Sequence, residues 1–330
     1  QRRRLRAVAM RAIAAWELPS PPRLRLVAHG FNATWRVDAS GRRFALRLNV
    51  ASQRTPANIA GEMAWMAALS RDTTLVLPVP QPLPDGALLH VVDASEVGRH
   101  LPAVLFSWLP GRDLGRRDDP AALHALGAAM ARLHAHGATW SPPPGAAFPI
   151  ADDVLCHQPP SLLVDAHPAL PPARQALFVD VHRRAAAMLA ALWASQPHHV
   201  THFDLHMWNV KWRRGRLALF DFDDSAIACP LQDLAITTYY LRSRPGGDRL
   251  EAALLDGYAT IAAPPIASAE HVEALLTARA LLLANDLLRI ENAEERAYLP
   301  TFLARTERTL RRYLDTGRFA PELAVPGPGS

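Results

Sequence analysis

Alternating apolar and polar residues near the start of the chain predict a small antiparallel sheet. Residues 24–28, 34–38 and 43–48 are short β-prone runs, and turns at 29–32 and 40–41 separate them. Strands joined by turns this short pair with their neighbours in antiparallel orientation. The beginning of the chain is therefore predicted to fold around one such sheet.

One helix and two more strands continue this part of the pattern. Apolar residues recur at three- and four-residue spacing in 58–69, which predicts a helix with one buried face. A proline-rich passage follows, and then strand-like runs at 87–92 and 103–108. The basic and partly apolar start, residues 1–19, lacks the long apolar core of a signal peptide and is predicted to be an amphipathic helix.

The pattern becomes helical after the Pro-Gly pair at 110–111. Helices are predicted from residue 120 onward and over 173–195, 230–243, 248–262, 269–290 and 300–315. A proline-rich stretch, 139–172, is predicted to be irregular, and strand-like runs occur at 199–203 and 216–222.

The change of pattern near residue 110 predicts an α+β fold with two lobes. The chain of 330 residues is long enough for two lobes with sizeable cores. Residues 1–109 are predicted to form a sheet-rich lobe, 110–325 a mainly helical lobe, and 326–330 a disordered tail.

Charge and cysteine content narrow the class of protein. The net charge of +5 suits an anionic ligand such as a nucleotide, whereas the absence of zinc-finger spacing and of basic runs beyond residues 2–4 argues against nucleic acid. Cys156 and Cys229 lie far apart without metal-binding spacing, as expected for a cytoplasmic protein. The longest apolar stretches fall short of the roughly 20 residues needed to cross a bilayer, so no membrane partner is expected.

The most informative segment places two polar residues on a loop and an acidic residue after the next strand. Residues 202–209 read His-Phe-Asp-Leu-His-Met-Trp-Asn, and 219–224 read Leu-Phe-Asp-Phe-Asp-Asp. Asp204 and Asn209 lie on one predicted loop. Asp221 comes at the end of the next predicted strand, which is expected to place it beside them. Carboxylate and carboxamide oxygens suit magnesium, and a further carboxylate can orient a hydroxyl and accept its proton. Phosphoryl transfer requires this division of roles.

Residues upstream of this segment supply parts that would hold ATP. The turn that includes Asn32 and Thr34 can cover phosphates with backbone N–H groups. Arg47 on the third strand places a cation where the α- and β-phosphates would lie. Glu62 on the following helix can hold that cation in an ion pair.

In this order the segments resemble the aminoglycoside phosphotransferase family, a branch of the protein-kinase-like superfamily that also contains choline, homoserine and fructosamine kinases. Its most specific marks are the His-x-Asp-Leu-His-x-x-Asn motif at 202–209 and the Asp-Phe-Asp-Asp at 221–224. Residues 230–235 also look like the family's Pro-x-x-Asp-Leu-Ala. The resemblance covers residues 24–315 and implies a bilobal protein-kinase-like fold with a small antiparallel-sheet lobe and a larger helical lobe.

The resemblance implies a role for each matching residue. Asp204 resembles the catalytic base, and Asn209 and Asp221 resemble the ligands of Mg²⁺. Arg47 stands where the family has its nucleotide-binding lysine, or often an arginine, and Glu62 resembles its ion-pair partner.

The strand between the lobes resembles the family's adenine site. Phe106 looks like the gatekeeper, and Ser107 and Leu109 look like the hinge whose backbone bonds adenine. The resemblance implies ATP and magnesium as cofactors. The chain departs from the family at Phe203, where many members have glycine or another small residue. Asp233 is predicted to be structural, tying its helix back to the catalytic loop.

The acceptor is expected to bind in the helical lobe against the catalytic loop. The candidate acceptor contacts are His206, Trp208, Asp223, Asp286 and Glu291. Alternation along the loop predicts that His206 lies on the opposite side from Asp204 as a hydrogen-bonded structural histidine. Asp223 and Asp224 are equally well explained as magnesium-site residues or as caps of the next turn.

The predicted reaction is transfer of the γ-phosphoryl group of ATP to a hydroxyl of a small molecule, such as an amino-alcohol, an amino sugar or an aminoglycoside. Aminoglycosides are polycations, and the enzymes that bind them line the acceptor pocket with carboxylates. The acidic character near the expected pocket is diluted here by Arg279, Arg289 and Arg296, so antibiotic resistance does not follow from the family name. The alternatives are a Ser/Thr protein kinase of the same superfamily and a nucleotide-binding regulator without catalysis. The sequence gives neither the acceptor, nor the choice between ATP and GTP, nor the oligomeric state.

Overall fold

The structure, a computed structural model, describes residues 2–95, 98–159, 163, 169–266, 268–289 and 293–322. The chain folds as two compact units. The first unit consists of residues 1–112 together with 140–148 and 211–223, and the second of residues 113–139, 149–210 and 224–330. Nothing in the sequence pattern predicts that two later segments return to the first unit.

The first unit is built on the antiparallel sheet that the sequence predicts. Its helices are α1 (Arg2–Ala14) and α2 (Pro56–Asp72), and the strands of its large sheet are β1 (Arg23–His29), β2 (Asn32–Ala39), β3 (Arg42–Asn49), β4 (His90–Ala94) and β5 (Arg99–Ser107). The strand order is β1-β2-β3-β5-β4, and every neighbouring pair is antiparallel.

One face of this sheet is apolar and forms the core of the first unit with α1. Leu5, Val8 and Ile13 of α1 belong to the same buried cluster as Trp35 of β2 and Leu46 of β3. Side chains alternate between the two faces of a strand, so the residues between these apolar positions lie on the opposite face. That second face carries the polar residues described below.

A proline and a capping box set the start of α2. Thr55 accepts a hydrogen bond from the backbone N–H of Asn58, and the Asn58 side chain accepts one from the backbone N–H of Thr55. Pro56 occupies the first turn, where its missing N–H is not needed. The helix therefore begins at a defined residue, which fixes the rotational position of Glu62 two turns later.

The second unit is mainly helical, as predicted. Its helices are α3 (Pro120–Gly137), α4 (Pro172–Ser195), α5 (Pro230–Arg242), α6 (Gly247–Ala259), α7 (Ala269–Arg289) and α8 (Ala293–Thr316). The remaining strands are short: β6 (Arg112–Asp113), β7 (His199–Thr201), β8 (Val210–Arg213), β9 (Arg216–Leu219) and β10 (Ala226–Ala228). Of these, β7 and β10 belong to the second unit, and β9 and most of β8 belong to the first. β7 pairs with β10, and β6, β8 and β9 form a three-stranded sheet. Together with the five-stranded sheet, these helices confirm the α+β class and the kinase-like architecture.

The two strands predicted around the catalytic loop are both shorter than expected. The strand predicted to run through residue 203 ends at Thr201, and the one predicted to run through 222 ends at Leu219. The backbone φ angle is +60° at Phe203 and +67° at Asp221, which is the left-handed region. A residue in that region cannot continue an extended strand, and the sequence pattern does not show which residues adopt it.

The last predicted helix begins earlier than the sequence suggests. The sequence pattern predicts this helix over 300–315. In the structure α8 begins at Ala293 and contains Pro300 in its interior. Leu299 and Leu303 are both buried, so packing of this helix outweighs the local cost of the proline. The predicted tail, 326–330, lies outside the described residues.

Two glycines allow α3 and α6 to cross at very short range. A Cβ atom added to Gly127 would lie 1.9 Å from the carbonyl oxygen of Leu254, and one added to Gly257 would lie 1.9 Å from that of His124. Both contacts are with backbone of the facing helix, which cannot rotate away.

Among the helices of the described ranges, none is long and apolar enough to cross a membrane.

Replacing Gly127 by alanine is expected to lower the free energy of unfolding by about 3 kcal/mol or more, at the upper end for overpacked cores, because the two helices must separate. Urea denaturation would measure the change. Gly30→Ala is the matched control, since nothing lies within 4 Å of a Cβ at that position. Equal stability of the Gly127→Ala variant and the wild type would contradict the close crossing.

Candidate active site

The loop after β7 is held by a buried chain of hydrogen bonds within the second unit. Oδ1 of Asp233 accepts a bond of 3.0 Å from the backbone N–H of Phe203. Oδ2 of Asp233 lies 3.0 Å from Nε2 of His134, and Nδ1 of His134 lies 3.0 Å from the hydroxyl of Tyr258. Asp233 thus has the tying role predicted for it, and α3, α5 and α6 all support the loop. Sequence reasoning did not identify His134 and Tyr258 as members of this chain of bonds.

Phe203 has a left-handed backbone conformation that glycine adopts more easily than a bulky residue does. Glycine adopts a φ of +60° without strain, whereas a bulky residue is strained there by about 1–3 kcal/mol. In this chain the Phe203 side chain packs against the small cluster formed by Ala151, Ala226 and Ala228. Partial burial of the ring against this cluster offsets part of the strain.

Asp204 lies among hydrogen-bond donors that engage both of its carboxylate oxygens. The side-chain amide of Asn209 donates to the main-chain oxygen of Asp204 at 2.9 Å and to Oδ2 at 3.0 Å. Nε2 of His206 lies 3.4 Å from the same Oδ2. Nη2 of Arg279 donates to Oδ1 at 2.6 Å. The orientation of the carboxylate is therefore fixed from two sides.

These donors keep Asp204 ionised. Burial alone would raise the pKa of Asp204, but the charge of Arg279 and the hydrogen bond to His206 outweigh it and hold the pKa well below its ordinary value. A carboxylate of this kind is charged throughout the neutral pH range. It is a strong hydrogen-bond acceptor for a hydroxyl and a weak base toward a free proton.

His206 lies on the same side of the loop as Asp204, so the prediction that it points to the opposite side is wrong. The backbone φ and ψ at His206 are −127° and 171°, and the next three residues, Met207–Asn209, form a 3-10 helix. The backbone is extended at His206, and residues two apart in an extended segment lie on the same side, so the prediction misapplied the alternation. Nδ1 of His206 accepts a hydrogen bond from the Trp208 N–H at 3.2 Å, which leaves Nε2 to face Asp204.

Aromatic side chains lie next to this carboxylate. Trp208 is 45% exposed, and its ring centroid is 5.8 Å from that of His206 and 5.8 Å from that of Tyr240. The hydroxyl of Tyr240 accepts a bond of 3.1 Å from Nη2 of Arg279. Trp208 is therefore exposed beside His206 and Tyr240, and the guanidinium of Arg244 lies over its ring at 5.1 Å.

The remaining acceptor candidates are distributed differently. Asp286 lies on α7 two turns after Arg279, and burial raises the pKa of Asp286 to about 6. Glu291 lies outside the described residues. Asp223 belongs to the first unit, where it lies beside Arg47. That position favours a role at the nucleotide over the acceptor contact predicted for Asp223.

In the first unit, the polar face of the sheet carries the residues predicted to bind a nucleotide. Thr34 is the cross-strand partner of Arg47, and Asn32 is the partner of Asn49. Facing residues of paired strands project from the same side of a sheet. The register of β2 and β3 therefore brings these four side chains together, although the sequence singled out only three of them.

Arg47 forms a buried, two-pronged ion pair with Glu62. Its Nη1 and Nη2 donate to Oε1 and Oε2 of Glu62 at 2.8 Å and 2.5 Å, and Nη2 lies 3.5 Å from Oδ1 of Asp223. Burial acts to lower the pKa of Arg47, but these two carboxylates outweigh it and raise the pKa. Oδ2 of Asp223 also accepts a bond of 2.8 Å from the Asn32 amide. The predicted pair is thus present, with Asp223 and Asn32 beside it.

Several buried polar atoms of this cluster have no hydrogen-bond partner in the part of the chain that the structure describes. They are Oδ1 of Asn32, Nε of Arg47, both amide atoms of Asn49 and Oδ1 of Asp223. Leaving such an atom unpaired costs about 1–3 kcal/mol, so a set of them indicates a place where a bound group completes the bonding. Donors and acceptors are both present, which fits a phosphate chain accompanied by a cation.

Asn49 is a member of this cluster that sequence reasoning missed. It follows Arg47 by two residues on the same strand, so the period of two places both on one face. That spacing is the signal that could have identified it.

The predicted adenine site lies on β5 and the residues after it. The guanidinium carbon of Arg47 lies 5.4 Å from the centroid of the Phe106 ring. The backbone N–H of Ser107 donates to the Val79 oxygen at 2.9 Å, and its hydroxyl accepts from the Val79 N–H at 2.9 Å. An adenine contact by Ser107 would therefore use its carbonyl oxygen. The role of Leu109 stays a prediction.

The two predicted magnesium ligands belong to different units. Asn209 directs its amide nitrogen toward Asp204, so its amide oxygen is the atom that remains for a metal ion. Asp221 follows β9 in the left-handed conformation, and the 3-10 helix Phe222–Asp224 comes directly after it. Among the described residues, no group of three or more His, Cys, Asp and Glu side chains is arranged to hold a metal. This donor set fits magnesium, which takes few protein oxygens and completes its shell with phosphates and water.

Comparison with known proteins places this site in a family. The sequence profile of the phosphotransferase enzyme family matches residues 23–270, which is more than half of the chain. The chain belongs to the phosphotransferase enzyme family. This confirms the resemblance that the segments at 202–209 and 221–224 indicate.

Solved structures support the same family fold. A microcompartment-associated aminopropanol kinase superposes with a TM-score of 0.81 at 20% identity, covering 95% of this chain and 98% of that one. An amicoumacin kinase, in complex with AMP-PNP, Ca²⁺ and Ami, gives 0.71 at 18% identity over 93% and 96%. Spectinomycin phosphotransferase, in complex with ADP and its antibiotic, gives 0.58 at 12% identity over 96% of each chain. Identities this low show a shared phosphotransferase fold and nothing finer.

A curated protein similar to this chain is an uncharacterised protein of Deinococcus radiodurans. It is 32% identical over 219 residues, which are 65% of this chain. The match spans 61% of the length of the relative.

Proposed function

We propose that this phosphotransferase transfers the γ-phosphoryl group of ATP, bound with Mg²⁺, to a hydroxyl group of a small molecule. The observation that carries the proposal is the position of the Asp204 carboxylate on the loop 202–209. Asn209 of the same loop and Arg279 of α7 both donate hydrogen bonds to this carboxylate. The ion pair of Arg47 and Glu62 supports it, since a braced cation on β3 is suited to phosphates.

When bound, magnesium-ATP supplies the transferable group and the metal charge that offsets the charge of the triphosphate. Arg47 binds phosphate oxygens, and Glu62 keeps its guanidinium in place. Asn32, Asn49 and Asp223 offer the unpaired atoms described above to the phosphate chain or its cation. Asn209 and Asp221 are the proposed metal ligands.

Asp204 orients the acceptor hydroxyl and takes its proton. The hydroxyl oxygen bonds to the γ-phosphorus while the bond from that phosphorus to the β–γ bridging oxygen breaks, and ADP leaves. Asp204 is ionised before the reaction, so its carboxylate can take the proton as the new bond from oxygen to phosphorus forms. Such a sequence suits the loose transition state of phosphoryl transfer, in which positioning contributes more than base strength.

The acceptor class is proposed to be small hydroxyl compounds. The solved relatives include kinases of aminopropanol, amicoumacin and spectinomycin, all of which are small molecules. Trp208 and Asp286 are the described side chains proposed to contact the acceptor.

The test is release of ADP from magnesium-ATP across a panel of hydroxyl compounds. The panel contains aminoglycosides, 1-amino-2-propanol, choline, homoserine, amino sugars, nucleosides and a generic protein substrate. Acceptor-dependent ADP release with one small-molecule class is expected. Release only with the protein substrate would favour the protein-kinase alternative, and nucleotide binding without any turnover would favour a regulator.

A further inference from the structure

The side-chain contacts around the catalytic loop converge on Tyr240, a residue of α5 that sequence reasoning did not single out. Its hydroxyl accepts a hydrogen bond of 3.1 Å from Nη2 of Arg279. Its ring centroid lies 4.7 Å from that of His206 and 5.8 Å from that of Trp208, with interplanar angles of 69° and 68°. All four residues belong to the second unit, so these contacts form within one compact part of the chain.

The hydroxyl of Tyr240 acts on one oxygen of the Asp204 carboxylate. Nη2 of Arg279 donates to Oδ1 of Asp204 at 2.6 Å as well as to Tyr240. The two N–H bonds of this nitrogen lie in the guanidinium plane at a fixed angle, so acceptors on both bonds determine the orientation of the group. The Arg279 side chain is only 11% exposed, so water does not readily replace an acceptor that is lost. The Tyr240 hydroxyl thereby fixes the direction from which Arg279 reaches Oδ1.

The ring of Tyr240 acts on the other oxygen of the same carboxylate. Nε2 of His206 lies 3.4 Å from Oδ2 of Asp204. The edge-to-face contact between the His206 and Tyr240 rings restrains the imidazole, since aromatic pairs favour this arrangement. One side chain therefore positions two groups at Asp204, with Arg279 at Oδ1 and His206 at Oδ2.

Burial keeps the Tyr240 hydroxyl in the neutral form that this arrangement needs. It raises the pKa of Tyr240, although the charge of Arg279 acts to lower it. A neutral hydroxyl accepts from Arg279 without adding a second negative charge beside Asp204. The ion pair of Arg279 and Asp204 therefore has no competing anion at the Tyr240 position.

We infer that Tyr240 is a positioning residue for the proposed phosphoryl transfer and that it holds Arg279 and His206 against the two oxygens of Asp204. The inference rests on the proposed function and extends it to a residue that acts through its neighbours. A carboxylate restrained at both oxygens faces the acceptor hydroxyl in one orientation, and small displacements of a reacting group cost large factors in rate. The effect of Tyr240 should therefore appear in kcat rather than in ligand binding.

Replacing Tyr240 by phenylalanine removes only the hydroxyl. With the panel compound that gives the highest rate of ADP release, kcat of Tyr240→Phe is expected to fall roughly 10- to 100-fold. The KM of that compound and the Kd of AMP-PNP with Mg²⁺ should change by less than about twofold. Tyr240→Leu also removes the ring and should lower kcat further, because His206 loses its packing.

Tyr239→Phe is the matched control. Tyr239 is the neighbouring residue on α5, and its ring centroid lies 5.5 Å from that of Phe319. The same atom is removed from the same helix, so kcat of this variant should equal that of the wild type.

A double variant tests the route of the effect. In an Arg279→Met background the Tyr240 hydroxyl has no guanidinium to orient. Adding Tyr240→Phe to that background should therefore have little further effect on kcat, because changes that act through one contact are not additive.

Four outcomes decide between the proposals. If the wild type turns over, an unchanged kcat in Tyr240→Phe, or an equal loss in Tyr239→Phe, would overturn the role of Tyr240. A fall in AMP-PNP affinity or melting temperature that accompanies the loss of kcat would identify a structural defect and also overturn it. Equal losses from Tyr240→Phe with and without Arg279 would show that the hydroxyl does not act through Arg279, against the inference. No acceptor-dependent ADP release by the wild type with any panel compound would instead overturn the proposed function, and the inference with it.

Discussion

Replacing Asp204 by asparagine is expected to lower turnover by ~10²–10⁴-fold, the range usually lost with a positioned acid–base group. Asparagine keeps the size of the side chain and one oxygen that can accept from Arg279. It has no negative charge to orient a hydroxyl and cannot accept its proton. Steady-state ADP release with the best acceptor of the panel would measure the loss, and titration with AMP-PNP should show unchanged nucleotide affinity.

Asp180→Asn is the matched control for this change. Asp180 is exposed on α4 and pairs with Arg183 at 3.0 Å, so the same chemical substitution is made far from the loop. Its turnover should equal that of the wild type. Near-normal turnover in Asp204→Asn, with a normal melting curve, would remove Asp204 from the catalytic role.

Replacing Arg47 by methionine is expected to lower the free energy of unfolding by about 3–5 kcal/mol and to abolish tight nucleotide binding. The change leaves the carboxylate of Glu62 buried without its partner, and removing one member of a buried pair costs about this much. Asp223 would lose its neighbouring cation as well. Urea denaturation and AMP-PNP titration measure the two effects separately.

A second substitution separates stability from binding. In the double variant Arg47→Met with Glu62→Leu, no unpaired charge remains at the pair, so most of the lost stability should return while nucleotide binding should not. Arg36→Met is the control for charge alone. Arg36 pairs with Asp38 at 2.9 Å on the surface of the same sheet, and its loss should cost about 0–1 kcal/mol. Recovery of nucleotide affinity in the double variant would show that Arg47 does not bind phosphate.

The parts of the site that could be predicted are those fixed by local order in the chain. Asp204 and Asn209 are five residues apart on one loop, and the structure joins them by hydrogen bonds. Arg47 and Glu62 lie on consecutive elements, and the alternation of β3 and the cap of α2 determine that they meet. In both cases the motif and the spacing contain the information.

Contacts that depend on tertiary packing were not predictable. Arg279 is 75 residues from Asp204 in sequence, and nothing in the pattern of α7 distinguishes it from the other arginines near the end of the chain. The left-handed backbone at Phe203 and Asp221 is likewise set by surrounding bonds and packing, and a bulky residue such as Phe usually avoids it. The position of His206, in contrast, follows from alternation, since residues two apart share a side and Asp204 lies two residues before it.

The arginine at position 47 also determines how the protein can be labelled. A guanidinium stays protonated in water at any ordinary pH and is not a nucleophile toward acylating reagents, unlike the amine of a lysine. Lys211 is the only lysine in the chain, and it lies over the Phe220 ring at 5.1 Å on the hairpin of β8 and β9. Amine-directed nucleotide reagents should therefore leave β3 unmodified, and a single side-chain amine at residue 211 becomes a site for attaching a fluorescent reporter.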